Sequence, residues 1–193
     1  MPETSADRPL RVVAVSGSLH SPSKSTALLT ELVDTIATVR PIDRHLIELT
    51  EVGPLLAGVL RRDQLPPEAE AELRRIEEAD LLVVASPVYR ASFTGLFKHL
   101  FDFVDQYALV DKPVLLAATG GSDRHALIIE HQLRPLFGFF QALTLPIGVY
   151  AKDSEFTDYK VTDVDLRDRI ERAVTRGLPL LDNLLIPTTP SVW

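Results

Sequence analysis

Five short apolar runs alternate along this chain with segments of helical periodicity, and that alternation constrains the fold more than any other feature. The runs occupy residues 10–16, 45–49, 81–86, 113–119 and 145–150. The first, third and fourth are almost wholly apolar, as strands covered on both faces are, whereas His45-Leu46-Ile47-Glu48-Leu49 alternates like an edge strand. The intervening patterns predict helices over about 25–38, 67–78, 94–105, 123–142 and 164–182. Strands separated by helices are joined by right-handed crossovers, so the expected architecture is α/β, a three-layer sandwich around a five-stranded parallel sheet of order 2-1-3-4-5.

A chain of 193 residues can bury one substantial core, which places a single domain at 10–183, a flexible N-terminus at 1–9 and an extended C-terminal tail at 184–193, where two prolines and a final Trp occur. A net charge of −7 argues against nucleic-acid and anionic-membrane surfaces. With no cysteine there is no disulfide, thiolate metal site or thiol catalysis, and without a secretory or membrane-spanning run the expected location is cytoplasmic. Asp153, Glu155 and Asp158 read as a solvated loop cluster, and no metal site is expected. The irregular stretch 52–65 carries Leu55, Leu56, Val59 and Leu60, and so either covers the parent core or joins a subunit interface.

Ligands of open α/β sheets bind beyond the carboxyl ends of the strands, at the switch in strand order. The first run empties into Ser16-Gly17-Ser18-Leu19-His20-Ser21-Pro22-Ser23-Lys24-Ser25-Thr26, six hydroxyl residues within eleven positions. A small-residue turn leading into a helix N-terminus suits an anion, and hydroxyls from Ser16, Ser18, Ser23, Ser25 and Thr26 with Lys24 supply the modest charge that one phosphate monoester needs. His20 is a further candidate ligand. The same serines also suit a plain helix cap. Neither Gly-x-Gly-x-x-Gly nor a Walker loop is present. After the third run, Pro87-Val88-Tyr89-Arg90 offers main-chain donors and one planar surface. After the fourth, Thr119-Gly120-Gly121-Ser122 lets the backbone approach closely. Together the three loops suit a flat heteroaromatic ring joined to a monophosphate by a short polyol.

Flavin mononucleotide meets that description, and the same segments carry a family likeness. Ser16-Gly17-Ser18, Pro22-Ser23-Lys24-Ser25, the run from Ala79-Asp80 through Ser86-Pro87-Val88-Tyr89-Arg90, Gly95-Leu96-Phe97-Lys98-His99-Leu100-Phe101-Asp102 and Ala117-Ala118-Thr119-Gly120-Gly121-Ser122-Asp123-Arg124-His125-Ala126 resemble the flavodoxin-like NAD(P)H-dependent FMN reductases. Within these, the likeness is greatest to reductases of two-component methanesulfonate and alkanesulfonate monooxygenase systems, and it spans residues 10–181. The resemblance implies a homo-oligomer, dimer or tetramer, that reduces FMN with NADH or NADPH and supplies FMNH2 to a flavin-dependent monooxygenase acting on sulfonates. His20 departs from the Arg that related reductases often carry near the phosphate. Two other readings fit the fold: a reductase of quinones, azo dyes or metal oxyanions with bound FMN, and a non-enzymatic FMN electron carrier.

Hydride transfer to a flavin needs no acid, base or nucleophile from the protein, so no strict catalytic residue is expected. Main-chain N–H groups from residues 87–90 and 119–122 are expected to hold the ring edge, with Arg90 as the electrostatic candidate. One conflict lies inside the predicted helix 123–142. Ile129, Leu133, Leu136, Phe137 and Phe140 keep an apolar stripe, yet Pro135 cannot donate to the His131 carbonyl, so the helix must kink or insert a π-bulge there. The resemblance implies a π-helix at this place, at a tetramer interface beside the flavin, with His131 where alkanesulfonate reductases carry Tyr.

Overall fold

The computed structural model describes residues 8–184. Strand β1 (Leu10–Ser16) leads into α1 (Lys24–Val39), then β2 (Ile42–Glu48), the short α2 (Leu49–Val52), α3 (Pro67–Glu78), β3 (Leu81–Pro87), α4 (Gly95–Asp102) and β4 (Pro113–Gly120). A π-turn (Ile129–Leu133) then runs into α5 (Arg134–Phe139), followed by β5 (Leu143–Thr144), β6 (Val149–Lys152), the hairpin β7 (Phe156–Thr157) and β8 (Lys160–Val161), and α6 (Val164–Leu184). The main sheet is parallel with order β2-β1-β3-β4-β5, and β6 also pairs with β4. This is the flavodoxin-like order expected from the sequence.

Alternation explains why the central runs read as uninterrupted apolar stretches. Val13, Val15, Leu82, Val84, Leu116 and Ala118 pack into one core with residues of α3, α4 and α5, while Val12, Ala14, Leu81, Val83, Leu115 and Ala117 pack into the other with α1 and α6. Both faces are covered, so the positions along β1, β3 and β4 are apolar or small, save Arg11, which sits exposed near the start of β1. The stretch 52–65 settles against the first core. Val52 and Leu56 are buried, and Leu55, Val59 and Leu65 pack beside them.

Three expectations about element bounds are corrected. The fifth strand, expected at 145–150, is two collinear pieces: β5 pairs with Pro113 and Val114, and β6 pairs with residues 117–120. Pro146 between them has no N–H for a ladder, and Gly148 lies so close to the π-turn that a Cβ there would stand 2.6 Å from Ile129. The fourth helix stops at Asp102 rather than 105, closing with tighter three-residue bonds from Phe103 and Val104. No single helix runs over 123–142. It begins as a 3-10 turn at Asp123–His125, and α5 ends early because Gln141 takes a left-handed conformation (φ 57°). There the Ala142 N–H donates to the Phe137 carbonyl and the Gln141 N–H to that of Gly138, a Schellman closure built on Gln. The π-bulge alternative is realised: the Arg134 N–H donates to the Ile129 carbonyl, five residues back, immediately before Pro135.

At the N-terminus, Arg8 is held by Asp80 rather than loose. Residues 1–7, and 185–193 of the expected tail, lie outside the described residues; Leu184 belongs to α6. Among the described residues no helix is long and apolar enough to cross a membrane.

Candidate flavin site

Three loops meet at the carboxyl edge of the sheet because Thr119 joins them. Its hydroxyl is 2.7 Å from that of Ser25 at the start of α1, and its carbonyl accepts the Val88 N–H at 2.8 Å. Ser25 and Thr119 are both buried, so each hydroxyl would be stranded without the other. The first loop is fixed from below as well. The Gly17 N–H donates to the Ala85 carbonyl at 2.7 Å and its own carbonyl accepts from the Thr94 hydroxyl at 2.8 Å. A Cβ on Gly17 would lie 2.9 Å from Ser86 and from Phe97, so only glycine permits this approach.

Within the first loop the hydroxyls divide by task. Ser23 caps α1, accepting from the N–H groups of Ser25 and Thr26 at 3.1 and 3.4 Å, as a capping serine does. Ser16 and Thr26 join each other at 2.8 Å, and Thr26 donates to Glu48 at 3.0 Å on the edge strand. Ser18 bonds His20, its hydroxyl donating to the carbonyl at 3.0 Å and accepting the N–H at 3.3 Å. His20 itself is exposed. Lys24, at the first turn of α1, pairs with Asp153 at 3.0 Å.

The second loop turns sharply. Tyr89 and Ser92 exchange main-chain bonds at 2.8 and 3.1 Å around Arg90 and Ala91, both at positive φ (51° and 68°). Two non-glycine residues in this region cost on the order of 1–3 kcal/mol each, strain of a kind that gathers at ligand sites. Pro87 has no N–H, and those of Val88 and Tyr89 are used internally, so the main-chain donor this loop can offer a ring is that of Arg90. Tyr89 and Arg90 are exposed.

In the third loop Gly120 underlies Tyr150, whose hydroxyl a Cβ there would strike. The Tyr150 hydroxyl donates to the Ser122 carbonyl at 2.6 Å. Burial, aided by the carboxylates of Asp123, Asp153 and Glu155, pushes this phenol above its ordinary pKa and keeps it a neutral donor. Gly121 is exposed at the mouth. His131 is exposed on the π-turn, and the neighbouring Gln132 accepts a hydrogen bond from Ser92 at 3.2 Å. Thr94, Tyr150 and Gln132 take part in the site without being site candidates in the sequence, and Ser86 stands out there only as the start of the second loop. Of the first three only Thr94 carried a signal, a hydroxyl residue three before the apolar Phe97, whose N–H it caps.

Hydroxyls, one ammonium and a helix N-terminus form a donor set that fits a phosphate monoester, and the exposed Gly121, with little but Asp153 near where its side chain would be, leaves the backbone approach a flat ring needs, while Gly17 and Gly120 let the loops pack on Phe97 and Tyr150. The family model described as "NADPH-dependent FMN reductase" matches residues 10–157. The chain belongs to that family. Relatives of this FMN reductase family member include a protein named "NADH-dependent FMN reductase SfnF" from Pseudomonas fluorescens (strain Pf0-1), 55% identical and covering 93% of this chain and 96% of that protein. An "FMN reductase (NADPH)" from Pseudomonas aeruginosa is 54% identical over 89% of this chain and 92% of its own length. Among solved structures, an oxidoreductase from Corynebacterium diphtheriae superposes with a TM-score of 0.81 at 30% identity, covering 91% of this chain and 98% of that one.

Proposed function

We propose that this FMN reductase family member transfers a hydride from reduced nicotinamide to FMN and releases the reduced flavin to a flavin-dependent monooxygenase that acts on sulfonates. The observation that carries the reading is the junction at Thr119, which brings a phosphate-type loop, a ring-edge donor loop and a glycine turn to one edge of the sheet. The flavin, when bound, supplies the redox chemistry. The chain's own work is binding and orientation. Lys24, the serines of the first loop and the start of α1 would hold the phosphate. The Arg90 N–H and the 120–122 turn would hold the ring edge, and the Arg90 guanidinium would stabilise negative charge near it. His131, exposed beside the Gln132 contact, would meet a second subunit in a dimer or tetramer.

The monooxygenase partner and the sulfonate setting are supported by the motif likeness. The nicotinamide is not decided by kinship, since relatives of nearly equal identity carry NADH and NADPH in their names. Steady-state oxidation of NADH and NADPH with free FMN as the only acceptor tests the reading. Turnover with FMN, and sulfite release when a sulfonate monooxygenase is added, is the expected result. Turnover with quinones but not with free FMN would replace it with the bound-flavin reductase.

A further inference from the structure

We propose that Asp153 sets the affinity of the site for phosphorylated flavin, by holding Lys24 in place of the phosphate until FMN arrives. The inference rests on the FMN reading above and assigns a role to a carboxylate that the sequence marks only as a solvated loop residue.

Lys24 is the single lysine or arginine in the loop from Ser16 to Thr26, so it supplies the only permanent positive charge on a side chain there. Its ammonium lies 3.0 Å from the Asp153 carboxylate. Asp153 reaches it from the far side of the sheet edge, directly after β6, and its position is built rather than accidental. The 3-10 turn Asp153–Glu155 is anchored by Glu155, which is 5% exposed, accepts the Lys152 N–H at 2.6 Å and pairs with Arg169 at 2.7 Å. The other Asp153 oxygen is the nearest atom to a Cβ placed on Gly121, at 3.9 Å. The carboxylate therefore stands between the phosphate loop and the glycine turn. A second pair, Lys152 with Asp123 at 3.4 Å, spans the neighbouring gap.

A phosphate entering the first loop must take Lys24 from Asp153 and then sit beside the displaced carboxylate. Both effects act on the phosphate and weaken its binding, so riboflavin, which lacks a phosphate, should feel them far less than FMN. The pair is partly exposed, so its competition is worth about two- to tenfold in affinity rather than orders of magnitude. Such a device suits a protein whose flavin must leave after reduction.

FMN and riboflavin titrations followed by flavin fluorescence test this on the wild-type protein, Asp153→Asn, Lys24→Met and the double variant. Asp153→Asn is expected to tighten FMN about three- to tenfold while leaving riboflavin within about twofold, and the gain should vanish when Lys24→Met is added. Riboflavin binding serves as the control that each variant folds. An unchanged FMN dissociation constant, an equal shift for both flavins, or a gain that survives Lys24→Met would overturn the proposal. A wild-type protein that binds neither flavin would overturn the FMN reading itself, and this proposal with it.

Discussion

Ser92 donates its hydroxyl hydrogen bond to the side-chain carbonyl of Gln132 at 3.2 Å, tying the strained turn after β3 to the π-turn before α5. Pro135 rules out a regular α-helix there, because it lacks the N–H such a helix would need, and the π-turn is how this chain resolves the conflict. The extra residue of the π-turn rotates the segment before it relative to α5. A local backbone conflict is thereby coupled to a loop that would hold the flavin ring.

Gln132→Ala and His131→Ala are expected to separate two uses of the π-turn. Removing the Gln132 contact should loosen the turn at Arg90 and weaken FMN binding about two- to fivefold, with little change in thermal stability because the bond is exposed. His131→Ala leaves that contact intact and should instead alter FMN retention and turnover together, most visibly at concentrations where the proposed oligomer would form. Titrations and steady-state rates on both variants, with sedimentation to follow assembly, check this. Unchanged retention and turnover in His131→Ala would remove its proposed role.

Ser25→Ala is expected to destabilise the protein by about 1–2 kcal/mol, since it strands the buried hydroxyl of Thr119. Thr119→Ala strands Ser25 in turn, and the double variant should cost less than the two single changes combined. Urea midpoints of the three variants measure the coupling. Simple additivity would show that Thr119 does not join the loops through this bond.

The parts of this molecule that read directly from sequence are those whose cause is local. Strands β1, β3 and β4 announced themselves because both faces are buried along most of their length, which leaves nearly uninterrupted apolar runs. A break before Pro135 was legible for the same reason, as proline lacks its own N–H whatever surrounds it, but the residues alone allowed a kink as well as a π-bulge. The split between β5 and β6 was not, because Gly148 becomes meaningful only when Ile129 packs on it. Site chemistry followed the same division. The hydroxyl-rich loop and the glycine turn stand out as composition, but the loss of the Val88 N–H to Thr119 depends on two loops brought together by sheet order. Asp153 looked like an ordinary solvated acid because nothing near it in the chain points to Lys24.

Gly120→Ala is expected to impair flavin binding by tenfold or more, on the order of the 1–3 kcal/mol that overpacking costs, because the added methyl strikes the Tyr150 hydroxyl. Tyr150 cannot swing aside freely, since its hydroxyl is bonded to the Ser122 carbonyl at 2.6 Å. Adding Tyr150→Ala to Gly120→Ala should recover much of the loss. FMN dissociation constants for both proteins decide this, and a failed recovery would place the conflict elsewhere.

Asp80 supplies the clearest pH dependence, at the opposite edge of the sheet. Its side chain is only 7% exposed. It accepts from Arg8 at 2.6 and 2.8 Å, from the Arg11 guanidinium at 3.0 and 3.2 Å and from the Arg11 N–H at 2.9 Å. Burial alone would raise this carboxyl's pKa, but the two guanidiniums and the N–H outweigh it and hold the group well below the ordinary carboxylate range. A depressed folded-state pKa stabilises the fold above the unfolded value of about 3.9, and that contribution drains away as pH falls towards the folded value. Asp80→Asn should therefore cost about 2 kcal/mol at pH 7, the low end for a charged network because both arginines are half exposed. The gap between wild type and variant should narrow steadily below about pH 4. Urea denaturation of both proteins at pH 7 and pH 3 measures it, and a gap of equal size at the two pH values would rule out ionised Asp80 as the source.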